Sequence, residues 1–179
     1  MGTKRVGLAR IEALMENLKR DLAMADSTIS GANVQLGINT LVEANGATKL
    51  LTAAESGATV HLHRAAGSTV TLPADATVGM RYIFVVKTLL TSNAYVINTG
   101  TNNTFTTSSF IVQQDATDSN HHAIVFPNDA ADVTVTMTED TTDKTAQFGT
   151  HFEVECVAAG KWRITGNHHK DGSGSIVFA

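Results

Sequence analysis

Seven histidines lead the residues that could do chemistry. His61 and His63 lie two apart in a stretch that alternates with Val60 and Leu62, so on a strand both imidazoles project to one face. Such a pair binds Zn²⁺ or Ni²⁺ when a third ligand approaches, and His121, His122, His151, His168, His169, Asp118 and Asp171 are the candidates. The plainer reading is a polar outer face that happens to use histidine, and we expect no metal site. His121-His122 and His168-His169 are adjacent pairs, which point opposite ways on a strand and make poor chelates. Both read as solvated loop residues. Asp115 to Asn120 begins like an oxygen-rich calcium loop but lacks the later Gly and bidentate Glu, and reads as a polar loop.

Glu153 and Glu155 share one face of a predicted strand, one pleat repeat apart. A carboxylate pair is what glycoside hydrolysis requires, but neighbouring same-face positions are also a common surface arrangement. Cys156 alternates inward with Phe152 and Val154, so its thiol is expected to be buried and inert. The chain contains no G-x-S-x-G, P-loop, G-x-G-x-x-G or H-E-x-x-H pattern. We expect no catalytic residues, no cofactor and no enzyme activity. Tyr95, Phe105 and Phe110 fall near predicted loops, where they could stack on bases or sugars; the alternative is core filling at strand ends.

The elements that would position these groups are β-strands. The 179 residues suit one domain with an appended segment. Polarity comes from hydroxyls, with 25 Thr, more than from charge, at 17%. Threonine is β-branched and fits a half-buried pleated surface. Alternation is clear at Val70/Leu72, Val133/Val135/Met137, Phe152/Val154/Cys156 and Trp162/Ile164. Tyr82 to Val86 is apolar on both parities, the mark of a central strand covered on two faces. Asn45-Gly46, Ser56-Gly57, Ala66-Gly67, Thr99-Gly100 and Ala159-Gly160 punctuate the runs. This pattern predicts a mainly β domain over 36–179, an antiparallel β-sandwich or jelly-roll-like barrel. Residues 99–120 read as a long exposed loop around one strand at Phe110–Val112, and 166–175 as a polar, Gly-rich tail.

Residues 1–30 follow a different period. Leu8, Ile11, Met15, Leu18 and Leu22 make a helical seam, and predict an amphipathic anchor or oligomerisation helix. Within residues 1–24, Lys4, Arg5, Arg10, Lys19 and Arg20 outweigh Glu12, Glu16 and Asp21, while the whole chain carries −4. A basic segment on an acidic body fits docking on an acidic neighbour, with these five cations as the candidate contacts. The acidic balance argues against direct nucleic-acid binding. No apolar run approaches the ~20 residues that span a bilayer, and charges interrupt any secretory h-region, so neither a membrane span nor a signal peptide is expected.

Several stretches together resemble small virion proteins of tailed phages, especially those of marine bacteria. They are GTKRVGLARIEALMENLKRDL, LLTAAESGATVHLHRAAGSTVTLP, GMRYIFVVKT, FEVECVAAGKWRITG and the closing GSGSIVFA; residues 99–145 match least. The resemblance implies a β-rich subunit of the virion surface in the form of a homotrimer. It would decorate or cement the head by binding the major capsid protein on the outer capsid surface. A tail or fibre component that binds a host receptor or glycan through its loops is the alternative.

Overall fold

The alternating runs become strands, and their parity decides what is buried. The computed structural model describes residues 41–115, 122–138, 146–171 and 176–179, all within one compact unit, Asn39–Ala179. The predicted N-terminal helix over 1–30, with its seam and its five cations, lies outside the described residues, as do Asp118 and His121.

Thirteen strands are described: β1 (Leu41–Ala44), β2 (Thr48–Leu50), β3 (Thr59–Leu62), β4 (Ser68–Thr71), β5 (Arg81–Val86), β6 (Ala94–Asn98), β7 (Thr104–Phe105), β8 (Phe110–Asp115), β9 (His122–Val125), β10 (Thr134–Thr138), β11 (His151–Ala158), β12 (Lys161–Lys170) and β13 (Ile176–Phe178). The larger sheet runs β1-β3-β5-β11-β12-β8-β9, with β7 also on β12. The smaller runs β13-β10-β6-β4-β2.

Both sheets are mixed, which corrects the antiparallel expectation. Odd-numbered strands β1, β3 and β5 join the larger sheet and even-numbered β2, β4 and β6 the smaller, so the chain winds from one sheet to the other and back. Each round trip contains two reversals and returns the next strand in the original direction. β1–β3 and β3–β5 therefore pair in parallel, as do β2–β4 and β4–β6. The second half folds back on itself: β11–β12, β5–β11, β8–β9, β6–β10 and β10–β13 are antiparallel. β12 pairs in parallel with β7 and β8.

Registered rows carry the core. Val42, Val60, Phe84, Phe152, Gly166, Ile111 and Val125 lie in one row across the larger sheet. Val70, Ile97, Val135 and Phe178 do the same across the smaller. The buried residues of both sheets belong to a single apolar cluster. Phe105 of the larger sheet meets Phe178 of the smaller edge-on, with centroids 5.7 Å apart. Tyr82 and Trp162 pack at 6.1 Å within the same cluster.

Four further expectations change. Residues 99–115 are not one open loop. Phe105 is buried on β7, Thr99 Oγ1 donates to Asn103 O at 2.7 Å, and Asn103 Nδ2 donates to Thr99 O and Pro73 O. The Thr99 and Asn103 side chains satisfy backbone carbonyls inward and do not face water. The 166–175 tail is strand as far as Lys170, so His168 is fully buried, because it continues the parity of Trp162 and Ile164. The apolar run at β5 buries Tyr82, Phe84 and Val86 and leaves Ile83 and Val85 half-buried on the other face. Val133, expected inward, precedes β10 and is exposed.

Candidate functional site

The groups singled out by type mostly gather on the outer face of the larger sheet. Strand pairing places Glu43, His61, Val85, His151, Asn167, Val112 and Ile124 in one outward row. Leu41, Thr59, Ile83, Glu153, Thr165 and Phe110 form the next.

His61 and His63 do share a face, and the group that joins them is one the spacing did not single out, Glu43 on the neighbouring strand β1. Glu43 Oε1 accepts from Lys87 Nζ at 2.6 Å and lies 3.2 Å from His61 Nδ1. His63 Nδ1 sits 3.0 Å from Oε2, close enough for an ionic contact but without hydrogen-bond alignment, so that Oε2 is a buried atom lacking a true hydrogen bond. The Lys87 ammonium, helped by His61 against the opposing cost of desolvation, holds the Glu43 carboxyl down at about 2. The two imidazoles bracket a carboxylate already matched to a fixed cation. Among the described residues no group of three His, Cys, Asp or Glu is arranged to hold a metal ion.

The carboxylate pair is likewise engaged. Glu153 Oε2 accepts from Arg81 Nη2 at 2.7 Å and Glu155 Oε2 from Arg163 Nη2 at 2.6 Å, each across to an adjacent strand. Both carboxylates are thus engaged by cations of the same chain. Cys156 is buried as expected; burial pushes its thiol up from the ordinary range, and Sγ donates to Ala158 O at 3.1 Å where β11 bulges. Tyr82, driven up to about 12 by burial and then by the nearby Glu55 charge, donates to Thr52 O at 2.8 Å. Lys49 ties β2 to Glu55 at 2.7 Å.

Of the three aromatic candidates, Tyr95 and Phe105 are buried and Phe110 is exposed on β8. Tyr95 Oη donates to Thr88 O at 2.7 Å, a core-edge clamp. His122 is exposed on β9, His151 is exposed on β11, and Asp115 pairs with Lys170 at 3.2 Å. Apart from His61 and His63, which meet at Glu43, the described histidines are spread over β9, β11 and β12. Sequence parity alone could have placed His168 inside; no sequence signal named Glu43, whose role comes from the parallel β1–β3 register.

An open depression of about 420 Å³ is lined by Thr71, Asn98, Gly100, Thr101 and Val133 beside the 99–103 turn. Its hydroxyls and amide are neutral hydrogen-bonding groups of the kind sugars meet.

No protein-family model, curated protein or solved structure matches this chain.

Proposed function

We propose that this chain is a structural subunit of a tailed-phage particle, a head decoration or cement protein that binds the major capsid protein lattice and stabilises the head. The observation that carries the reading is what has happened to the reactive residue types. Glu43, Glu153 and Glu155 are each bound to a cation of the same chain, Cys156 is buried, and the tyrosines clamp backbone carbonyls. Such side chains hold strands together; chemistry on a substrate requires groups left poised. The stretches that resemble phage virion proteins fall on this framework: β3 and β4, then β5, then β11 and β12, then β13.

In this reading the two sheets face each other as a β-sandwich around their common cluster, and the basic segment with Lys4, Arg5, Arg10, Lys19 and Arg20 is the anchor on the capsid. Decoration works by avidity: many weak contacts, repeated by symmetry, hold the lattice. The neutral, hydroxyl-lined depression beside Gly100 favours the second reading, a tail or fibre component that binds a glycan.

Copy number and position on purified particles separate the two. Hundreds of copies at lattice positions on the head, counted by quantitative mass spectrometry and seen in an electron-microscopic reconstruction, are expected. A handful at the tail would move the assignment to the second reading, and absence from the particle would overturn both.

A further inference from the structure

Most cations of the β unit are already matched. Among the described residues Lys49, Arg81, Lys87, Arg163 and Lys170 each pair with a carboxylate of the same chain. Lys161 is exposed to water and donates to Thr104 Oγ1 at 2.8 Å. Arg64, in the turn between β3 and β4, is half-buried and meets no carboxylate among the described residues.

The Arg64 guanidinium is nevertheless fixed in place. Nη1 donates to Ala66 O at 3.1 Å and to Gly67 O, which uses both of its hydrogens. Nε and Nη2 have no hydrogen-bond partner among the described residues. That edge carries two parallel N–H groups, the fork that takes two oxygens of one carboxylate or phosphate. The backbone around it is held as well. Arg64 N donates to Tyr95 Oη at 3.3 Å, Thr91 N donates to Ala65 O at 2.8 Å, and Asn93 Nδ2 donates at 3.0 Å to the same Ala66 O that Arg64 uses. A cation set by its own turn loses little freedom when a ligand arrives.

Arg64 lines an open depression of about 190 Å³ together with Gly67, Ser68, Thr69 and Asn93. Among the described residues no Asp or Glu contributes to its walls. Ser68, which opens β4, is only 3% exposed, and its Oγ is buried with no hydrogen-bond partner among the described residues. Buried hydroxyls are nearly always satisfied, so an orphan beside a cavity marks a place for a water or a ligand. A water would satisfy Ser68 and leave the Arg64 charge unmatched. An oxyanion answers both.

We infer that this depression binds a small oxyanion, a carboxylate or a phosphate group, on the Nε–Nη2 edge of Arg64, with Ser68 Oγ as the accompanying donor. Charge sets the sign of the ligand, because Arg64 is the one charged side chain in the lining among the described residues. Volume sets its size: about 190 Å³ is less than the roughly 300–1,000 Å³ of sites that enclose a drug-sized molecule.

The test titrates the full chain, labelled with nitrogen-15, with sodium phosphate and separately with sodium acetate, against sodium chloride at equal ionic strength. The Arg64 Nε–H resonance and the Gly67 and Ser68 amides should shift and saturate with phosphate or acetate and not with chloride. One charge-assisted fork and one hydroxyl should give a Kd on the order of 1 mM. The anion that saturates at the lower concentration identifies the class. Arg64→Gln should abolish saturation, and Arg64→Lys, which keeps the charge without the fork, should weaken binding about tenfold. Ser68→Ala should weaken it roughly fivefold. That variant should not lower the melting temperature of the free chain, since the hydroxyl it removes has no partner among the described residues. Binding as tight as wild type in Ser68→Ala would remove the hydroxyl from the site. No saturating shift with either anion, or shifts that persist in Arg64→Gln, would overturn the inference altogether.

Discussion

The two halves of the β unit use the same alternating pattern to opposite ends. From β1 to β6 the chain winds between sheets and its strands pair in parallel with those one circuit away. From β8 to β13 most strands pair antiparallel, and β11 and β12 meet through the tight Ala159-Gly160 turn. Parity sets which side chains are buried in both halves, but the connection sets who pairs with whom. A two-residue turn returns the chain beside itself, whereas a crossing to the other sheet postpones the partner by a full circuit. Edge protection differs too: among the described strands the wound half ends in β1 and β2, bearing Glu43 and Lys49, the folded-back half in the uncharged β9 and β13.

If the halves are one cooperative body, removing a side chain that touches both should have the largest effect. Trp162 lies on β12 in the folded-back half, fully buried, and packs on Tyr82 of β5 in the wound half. Trp162→Ala should cost about 3–5 kcal/mol, from lost transfer energy plus the cavity. Denaturant unfolding followed by far-ultraviolet circular dichroism should show one transition moved to lower denaturant. Two separated transitions would break the comparison into independent units.

Close backbone approach gives each half its own next-largest test. A Cβ on Gly67 would lie 2.3 Å from Ala94 O, where the turn before β4 meets the start of β6, and Gly67 has φ +76. A Cβ on Gly166 would lie 2.2 Å from His151 O across the β11–β12 pair. Each clash is with backbone, so each Ala variant should lose about 1–3 kcal/mol by equilibrium unfolding. Gly67→Ala should lose the more, because it adds left-handed backbone strain of roughly 1–2 kcal/mol. Equal losses would mean the wound half relaxes more readily than the folded-back one.

The same contrast explains what could be read from residue order. Val60/Leu62, Phe152/Val154/Cys156 and Trp162/Ile164 all bury as their alternation predicts, since period two is a local property of a strand. The Ala159-Gly160 hairpin was legible because its turn residues sit between its strands. The parallel winding was not. Leu41 pairs with Thr59 and Thr59 with Ile83, unequal steps that leave no fixed repeat length to detect. The outer-face cluster inherits that difficulty: His61 and His63 were visible as a pair, but Glu43 reaches them only through the β1–β3 register. Asn103 and Thr99 looked like solvated loop residues because composition cannot show that their amide and hydroxyl turn inward to backbone carbonyls.

The smallest expected effect concerns how the wound half guards its edge. Glu43 on β1 is held by Lys87, which follows β5, so the contact spans β3 and ties the edge strand to the interior of the sheet. Its folded carboxyl value of about 2 lies below the ordinary 4.5. A depressed acid stabilises the fold fully above its unfolded value, and that stabilisation is lost as pH falls from 4.5 toward 2. The side chain is partly open to solvent, which screens the pair, so the contribution should be about 0.2–1 kcal/mol and not the full linkage value. Glu43→Gln should therefore lower the melting temperature slightly above pH 4.5 and show a shallower decline than wild type below it. Amide exchange should localise the acid-induced loosening to β1 and spare β11 and β12, which lie deeper in the sheet order. Loosening that begins instead at β9 would show that a charged edge is no firmer than an uncharged one, and would remove the physical difference between the two ends.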